Sequence, residues 1–138
     1  MKVISHRGNL FGPNSKTENN PDHIQKVLKK YDTEVDVWVS LNNEVFLGHD
    51  YPQYSILPNF LQQDGLWCHA KNLNALHYLL NAKIKCFYHN IDDYTITSNG
   101  YIWTYPDHDV TDKSIIVNLN KGWQNTNYNC YGVCVDYI

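Results

Sequence analysis

The segment Thr33–Val39 alternates polar and apolar side chains and is rich in β-branched and aromatic residues, a pattern typical of a β-strand. Side chains two positions apart on a strand point to the same face, so Glu34 and Asp36 share one face. The opposite face carries Val35, Val37 and Val39. Neighbouring carboxylates repel one another and resist burial unless a cation or a proton lies between them. The pair is therefore either a candidate site for an oxygen-preferring metal ion or the solvated face of an edge strand.

The length and composition of the chain indicate one globular domain spanning residues 1–138. Hydrophobic residues make up 43% and charged residues 18%, and the formal net charge of −3 gives no basic footprint for nucleic acid. No apolar run approaches the ~20 residues of a membrane span, and the N-terminus turns polar too early for a signal peptide. We therefore expect a cytoplasmic protein with reduced cysteines, of which Cys68 and Cys86 lie in apolar, strand-like runs.

Strand-like and helix-like segments alternate in the first part of the chain. Asn20 can cap a helix that begins at Pro21 and runs to about Tyr31, and Asn72 can cap a second helix, Leu73–Asn81. The predicted strands are Lys2–Ser5, Thr33–Val39, Val45–Asp50, Leu66–Lys71, Lys85–His89, Tyr101–Tyr105, Ser114–Leu119 and Val133–Ile138. Strands separated by helices predict a parallel sheet with helical crossovers, and therefore an α/β fold.

Polar side chains recur where the predicted strands end. In parallel α/β folds, functional groups gather at the C-terminal ends of the strands. The residues concerned are His6, Arg7, His49, His69, Lys71 and His89, together with Glu34 and Asp36 in the second strand. Their concentration at one end of the predicted sheet indicates an enzyme rather than a purely structural protein.

The order of four short motifs resembles the glycerophosphodiester phosphodiesterase family. The motifs are His6-Arg7-Gly8, Glu18-Asn19, Glu34-Val35-Asp36-Val37 and Gly48-His49-Asp50. Further matches lie at Trp67–Lys71 and, for the last strand, at Gly132–Tyr137. That family consists of TIM-barrel phosphodiesterases, so the resemblance implies the same architecture.

The length of the chain limits how much of such a barrel it can form. A typical (β/α)₈ barrel takes ~250 residues. The expected fold is therefore an abridged TIM-type (β/α) barrel with shortened or missing helices in the C-terminal half. A second subunit could supply the missing cover, so a homo-oligomer is compatible with this expectation.

The resemblance implies roles for four residues that would handle the substrate. His6 and His49 match the histidines that act as general acid and base in the family. Arg7 matches a phosphate contact, which suits its planar fork of hydrogen-bond donors. Lys71 matches a lysine that would also bind the substrate.

The metal site implied by the resemblance consists of Glu34 and Asp36, with Glu18 supporting it as a ligand or through hydrogen bonds. The family supplies another acidic ligand two residues before the lysine of the third strand. In this chain His69 occupies that position. The expected cofactor is a divalent cation, Mg²⁺, Ca²⁺ or Mn²⁺. Because imidazole suits Mn²⁺ or Zn²⁺ better than Mg²⁺ or Ca²⁺, the histidine at this position leaves the identity of the metal open.

The function expected from these residues is metal-dependent hydrolysis of glycerophosphodiester-like substrates, an activity of lipid metabolism. The expected partner is a small-molecule phosphodiester. The alternative is a catalytically eroded barrel that binds a phosphorylated ligand without turning it over, which the short chain and the histidine at position 69 both favour.

Overall fold

The computed structural model describes residues 1–138 as ten β-strands, two α-helices and two short 3₁₀ helices. The strands are β1 (Lys2–His6), β2 (Asp32–Val39), β3 (Val45–Leu47), β4 (Tyr54–Ile56), β5 (Leu66–Ala70), β6 (Cys86–Phe87), β7 (Tyr94–Ile96), β8 (Ile102–Thr104), β9 (Ser114–Val117) and β10 (Gly132–Val135). The α-helices are α1 (Pro21–Leu28) and α2 (Leu73–Asn81), and the 3₁₀ helices are Pro58–Gln62 and Trp123–Asn125. No helix has the length and apolar character needed to cross a membrane.

All ten strands belong to one curled, mixed sheet. Eight of them follow the order β4-β3-β2-β1-β10-β9-β8-β7, while β5 pairs with β2 and β6 pairs with β5. The ladders that join β8, β9, β10, β1, β2, β5 and β6 are all parallel. No ladder joins β6 to β7 or β8, and across this gap the Ser98 N–H donates to the Cys86 carbonyl at 2.7 Å. The sheet is therefore an open half-barrel.

The predicted TIM-type barrel is wrong. A TIM barrel alternates eight strands with eight helices, whereas this chain has two α-helices of eight and nine residues. The β2–β3, β3–β4 and β7–β8 pairs are antiparallel, which a TIM barrel does not contain. No α-helix follows Asn81, because the later crossovers are too short or too irregular; residues 105–113 alone join β8 to the parallel strand β9.

Both α-helices begin at the caps that the sequence predicts. The Asn20 Oδ1 accepts hydrogen bonds from the N–H groups of Asp22 and His23, and the Asn72 Oδ1 accepts one from Ala75. Helix α2 has the predicted bounds. The helix is buried through Ala75 and Leu79, while Leu73 is 77% exposed.

Apolar side chains cover one face of the central strands and fill the base of the half-barrel. Val35, Val37 and Cys68 pack with Ile24 of α1 and Leu79 of α2 in the larger core cluster. A second cluster comprises Ile4, Trp67, Phe87, Trp103, Ile115 and Cys134 on the inner face. Because this second cluster closes the interior from below, polar side chains nearer the C-terminal strand ends lie above an apolar floor.

Candidate functional site

A cavity of about 430 Å³ opens at the C-terminal ends of the parallel strands. Its walls include six residues that the sequence predicts as site residues: His6, Arg7, Glu34, His49, His69 and Lys71. The other lining residues are His89, Asn90, Asp92, Trp103, Tyr105, Pro106, Val117 and Leu119. The structure therefore brings most of the predicted site together, while Asp36 and Glu18 lie behind its walls.

The carboxylates of Glu34 and Asp36 are buried inside the half-barrel. Glu34 is 3% exposed and Asp36 is 0% exposed, so the interpretation of this strand face as a solvated edge is wrong. Strand β2 is central rather than peripheral, since β1 and β5 pair with its two sides. The β2–β5 register places Asp36 beside His69. One donor atom from each of Glu34, Asp36 and His69 lies within 4.8 Å of the others, so these residues could hold a divalent cation.

The two carboxylates respond to burial in opposite ways. Burial and the charge of Asp36 raise the pKa of Glu34, and nearby histidine and arginine charges only partly offset this. Burial also acts to raise the pKa of Asp36, but His69, Arg7 and the hydrogen bond from Asn19 outweigh it and lower that pKa strongly. Buried carboxylates whose pKa values are shifted in opposite directions are common at functional sites, where keeping a charge buried costs stability.

The Nδ1 of His69 faces these carboxylates: it donates to Asp36 when the ring is charged, the form that lowers the pKa of Asp36, and it offers a lone pair when the ring is neutral. Its Nε2 lies 3.3 Å from the carbonyl oxygen of His89, and because a carbonyl only accepts, Nε2 carries the hydrogen. In the neutral ring, Nδ1 is then an acceptor, 3.2 Å from Asp36 Oδ1 and 3.8 Å from Glu34 Oε1. Asp36 Oδ1 is buried and, with that ring neutral, has no hydrogen-bond donor in the protein. A cation between these atoms would satisfy all three, and an N–H to carbonyl bond behind a ligating histidine is the usual support of a metal site.

The side chain of Asn19 fixes Asp36 from behind. The Asn19 Nδ2 donates to Asp36 Oδ2 at 2.9 Å, and Asn19 Oδ1 accepts from the Asp36 N–H at 2.9 Å. Asn19 is 1% exposed and adopts φ +57°, a left-handed conformation that asparagine tolerates better than most residues. Asn19 belongs to the Glu18-Asn19 motif, but the sequence analysis assigns it no role.

The positively charged side chains of Arg7 and Lys71, together with Glu18, complete the surroundings of Asp36. Arg7 Nε lies 3.3 Å from Asp36 Oδ2, and Lys71 Nζ lies 3.9 Å from Asp36 Oδ1. Glu18 Oε2 is 3.6 Å from Arg7 Nη1, and Glu18 Oε1 accepts a hydrogen bond from Asn9 Nδ2 at 2.9 Å. The structure thus places Glu18 outside the three-residue donor cluster, as a partner of Arg7. Of the two roles expected for Glu18, its contacts are those of hydrogen-bonded support.

His6 is held by a carboxylate from the last strand of the sheet. Its Nδ1 lies 2.8 Å from Asp136 Oδ1, and Asn9 Nδ2 donates to the same oxygen at 2.8 Å. Because Nδ1 donates to the carboxylate, the neutral ring presents Nε2 toward Glu34, at 3.9 Å from Oε2. Burial acts to lower the pKa of His6, but the hydrogen bond to Asp136 and the charge of Glu34 raise it overall. Burial acts to raise the pKa of Asp136, and the bond from His6 lowers it overall.

His49 reaches the same cavity from the hairpin beyond β3. Its Nδ1 lies 2.7 Å from Asp50 Oδ1, and its side chain is 41% exposed, in contrast to the 14% of His6. Gly48 precedes it at φ +156°, where an added Cβ would lie 2.1 Å from the Tyr51 carbonyl oxygen. A glycine is therefore required for the turn that presents His49.

Four residues of the site had no role assigned from the sequence: Asn9, Asn19, His89 and Asp136. The ring of His89 stacks on that of His69 at 4.5 Å with an interplanar angle of 7°. Burial lowers the pKa of His89 to about 4, with the charges of His69 and Lys71 adding to the effect. Its position at the end of a predicted strand was the one available signal. Asp136 lies 130 residues from its partner His6, so no local pattern links them.

Searches of family models, curated proteins and solved structures find no match to this chain. The structural class of the protein is therefore defined by its own fold and site. It is a mostly parallel half-barrel whose strand ends carry a buried cluster of carboxylates and histidines beside the positively charged side chains of Arg7 and Lys71.

Proposed function

We propose that this protein is a metal-dependent phosphodiester hydrolase that acts on glycerophosphodiester-like substrates. The observation that carries the proposal is the convergence on one cavity of Glu34 and His69, with Asp36 directly behind them, the positively charged Arg7 and Lys71, and two carboxylate-bound histidines. Each group meets a separate need of phosphodiester cleavage: charge neutralisation, nucleophile activation and protonation of the leaving group. The ordered motifs that resemble the glycerophosphodiester phosphodiesterase family agree with this assignment.

The donor set of Glu34, Asp36 and His69 would hold the metal ion. Two carboxylates and one imidazole suit Mn²⁺ or Zn²⁺ and are also compatible with Mg²⁺. A bound divalent ion would polarise the phosphoryl oxygens and lower the pKa of an attacking hydroxyl or water. Arg7 and Lys71 would offset the negative charge that builds on the phosphoryl oxygens during the reaction.

The two histidines would move the protons. Each has its Nδ1 bound to a carboxylate, Asp136 for His6 and Asp50 for His49, which leaves Nε2 for the substrate. One ring would accept the proton of the nucleophile and the other would donate a proton to the leaving alkoxide. A hydroxyl next to the ester, as in a glycerophosphodiester, is a suitable internal nucleophile because it is already close to phosphorus. Its attack would form a cyclic phosphate as the bond from phosphorus to the leaving alkoxide breaks, and water would then open the ring to complete the hydrolysis.

The test is hydrolysis of glycerophosphocholine and glycerophosphoglycerol with Mg²⁺, Ca²⁺, Mn²⁺ or Zn²⁺ added to chelator-treated protein. We expect activity with at least one metal and a loss of about 10²- to 10⁴-fold in His6→Ala and in His49→Ala. His77→Ala is the matched control, since His77 is exposed on α2 and bonds only to Asn81. Equal rates in the wild type and both site variants would refute the assignment.

The binding-only alternative has its own signature in the same experiments. It predicts that glycerophosphodiesters bind in the cavity, measured by calorimetry, while no metal supports turnover. Loss of that binding in Arg7→Ala, with no hydrolysis in the wild type, would decide for the alternative.

A further inference from the structure

The cavity has two chemically different halves. The half built on β1, β2 and β5 carries His6, Glu34, His69 and Lys71. The half built on β8 and β9 carries five residues without a charge: Trp103, Tyr105, Pro106, Val117 and Leu119. The reaction proposed above uses only the charged half, so the apolar half has no part in it.

The pleat of β8 and β9 and the residues that follow each strand make this half apolar. Trp103 and Ile115 are register partners, and side chains two apart on a strand share a face. Val117 therefore follows Ile115 on the inner face, and Tyr105 and Leu119, just beyond the ends of β8 and β9, line the same cavity. These side chains form one wall, which we call the β8–β9 wall (Trp103, Tyr105, Val117 and Leu119).

The β8–β9 wall rises from the core to the solvent. Trp103 is 4% exposed and Ile115 is 0% exposed, whereas Tyr105 is 49% exposed and Leu119 is 38% exposed. A linear aliphatic group could therefore lie along the wall with its far end leaving at the rim. The cavity of about 430 Å³ also falls in the ~300–1,000 Å³ range of pockets that bury drug-sized ligands, which leaves room beside a bound phosphate.

We propose that the β8–β9 wall binds an aliphatic chain on one ester arm of the substrate, so that the preferred substrate is an amphiphilic phosphodiester. This inference rests on the function proposed above and names its substrate class. A phosphodiester with two hydrophilic arms would leave the wall facing water or a polar group. An alkyl or acyl chain would remove that apolar surface from water while the phosphate stays against Arg7 and Lys71.

The test is a series of glycerol phosphodiesters whose second arm is methyl, ethyl, butyl or hexyl, all used below their aggregation concentrations. We expect kcat/KM to rise about twofold to fourfold per added methylene, the upper value being that of full burial. The choline ester is included, because Asp92 and Tyr105 also line the cavity and could instead favour a cationic head group. A flat series, or a choline ester that exceeds the hexyl ester, would overturn the proposal.

Variants separate the wall from general effects of mutation. Leu119→Asn should flatten the chain-length series, measured as the hexyl-to-methyl ratio of kcat/KM. Leu41→Asn is the matched control, because Leu41 is 91% exposed in the β2–β3 turn and does not line the cavity. An unchanged ratio in Leu119→Asn would refute the assignment of the wall.

A binding series keeps this inference distinguishable from the function on which it rests. The non-hydrolysable phosphonate analogues with the same four arms are titrated into the protein by calorimetry. If no ester is hydrolysed but the phosphonate affinity rises with chain length, the hydrolase assignment fails and the chain site stands. If the methyl ester is hydrolysed and the phosphonate affinity does not vary with chain length, the chain site fails and the hydrolase assignment stands.

Discussion

The hydrogen bonds between Asn19 and Asp36 provide a quantitative test of how the buried carboxylate is held. Asn19→Gly removes both bonds, at 2.9 Å each, while glycine keeps the left-handed backbone at φ +57°. The Asp36 N–H and Oδ2 are then buried with fewer partners. The unsatisfied N–H costs roughly 1–3 kcal/mol and the lost bond to the charged Oδ2, which keeps its contact with Arg7, roughly 1.5–3 kcal/mol, so we expect Asn19→Gly to lower the free energy of unfolding by about 2–6 kcal/mol. Asn19→Ala adds a left-handed alanine, which costs roughly 1–2 kcal/mol more.

The chain offers a matched control for this substitution. Asn43 has nearly the same backbone angle, φ +61°, but lies exposed in the β2–β3 turn, where its side chain makes no hydrogen bond. Asn43→Gly therefore tests the backbone effect of glycine without the loss of bonds, and we expect a change within about 0.5 kcal/mol. Comparison of the two glycine variants isolates the contribution of the Asn19 side chain.

The assay is urea unfolding in chelator, followed by tryptophan fluorescence, with the slope of each transition compared across variants. An unchanged slope with a lower midpoint assigns the effect to stability. Equal midpoints for Asn19→Gly and Asn43→Gly would refute the reasoning, because the buried Asp36 would then not depend on Asn19.

Three further predictions follow from burial, backbone geometry and titration. A thiol reagent should label about one cysteine in the native protein, Cys130, and all four after unfolding, since the other three are at most 1% exposed. Gly48→Ala should disrupt the turn before His49 and lower both stability and activity, because its Cβ would lie 2.1 Å from a backbone oxygen. The pKa of His6 is raised from 6.5 and that of Asp136 is lowered from 3.8, so their coupling should be greatest between these values. A double-mutant cycle of His6→Gln and Asp136→Asn should then show less coupling energy at pH 8.5 than at pH 5.5.

Local sequence patterns were enough to predict individual strands, helix caps and helix bounds. The strand containing Glu34, the caps Asn20 and Asn72, and the bounds of α2 follow from alternation and capping, and the structure confirms them. The buried face of α2 does not include all of its leucines. Ala75 and Leu79 are buried, whereas Leu73 and Leu80 are exposed, a difference that depends on how the helix lies against its neighbouring strands.

The features that could not be predicted from the sequence depend on contacts between strands and residues that are distant in the chain. The architecture was predicted from a family resemblance, yet whether a crossover forms a helix depends on its length, as the short link between β8 and β9 shows. The site residues at strand ends could be predicted because parallel strands align their ends. Asp136 and Asn9 act through contacts that only the closed sheet provides, so their roles could not be read locally.

Glu34 offers a test of whether the carboxylate cluster serves ligand binding at the expense of stability. Burial and the charge of Asp36 raise the pKa of Glu34, so in the folded state its ionised form is disfavoured relative to the unfolded chain. An acid whose folded pKa is raised destabilises the fold as pH rises above its unfolded value, here 4.5. Glu34→Gln keeps the shape and one carbonyl oxygen, which can still accept from the Arg7 N–H.

We therefore expect Glu34→Gln to be more stable than the wild type in chelator at pH 8, with the gain shrinking toward pH 5. We expect Mn²⁺ or Zn²⁺ to raise the melting temperature of the wild type and not that of Glu34→Gln, because the substitution removes one anionic donor of the cluster. Asp93→Asn is a control for the general effect of removing one negative charge, since Asp93 is exposed and pairs only with His108. The stability gain of Glu34→Gln over the wild type in chelator is compared at pH 8 and at pH 5. A smaller gain at pH 8 than at pH 5 would contradict the prediction that the ionised Glu34 carboxylate destabilises the fold. A cluster that costs stability when empty and restores it when occupied has the energetic behaviour of a binding site, which a purely structural ion cluster lacks.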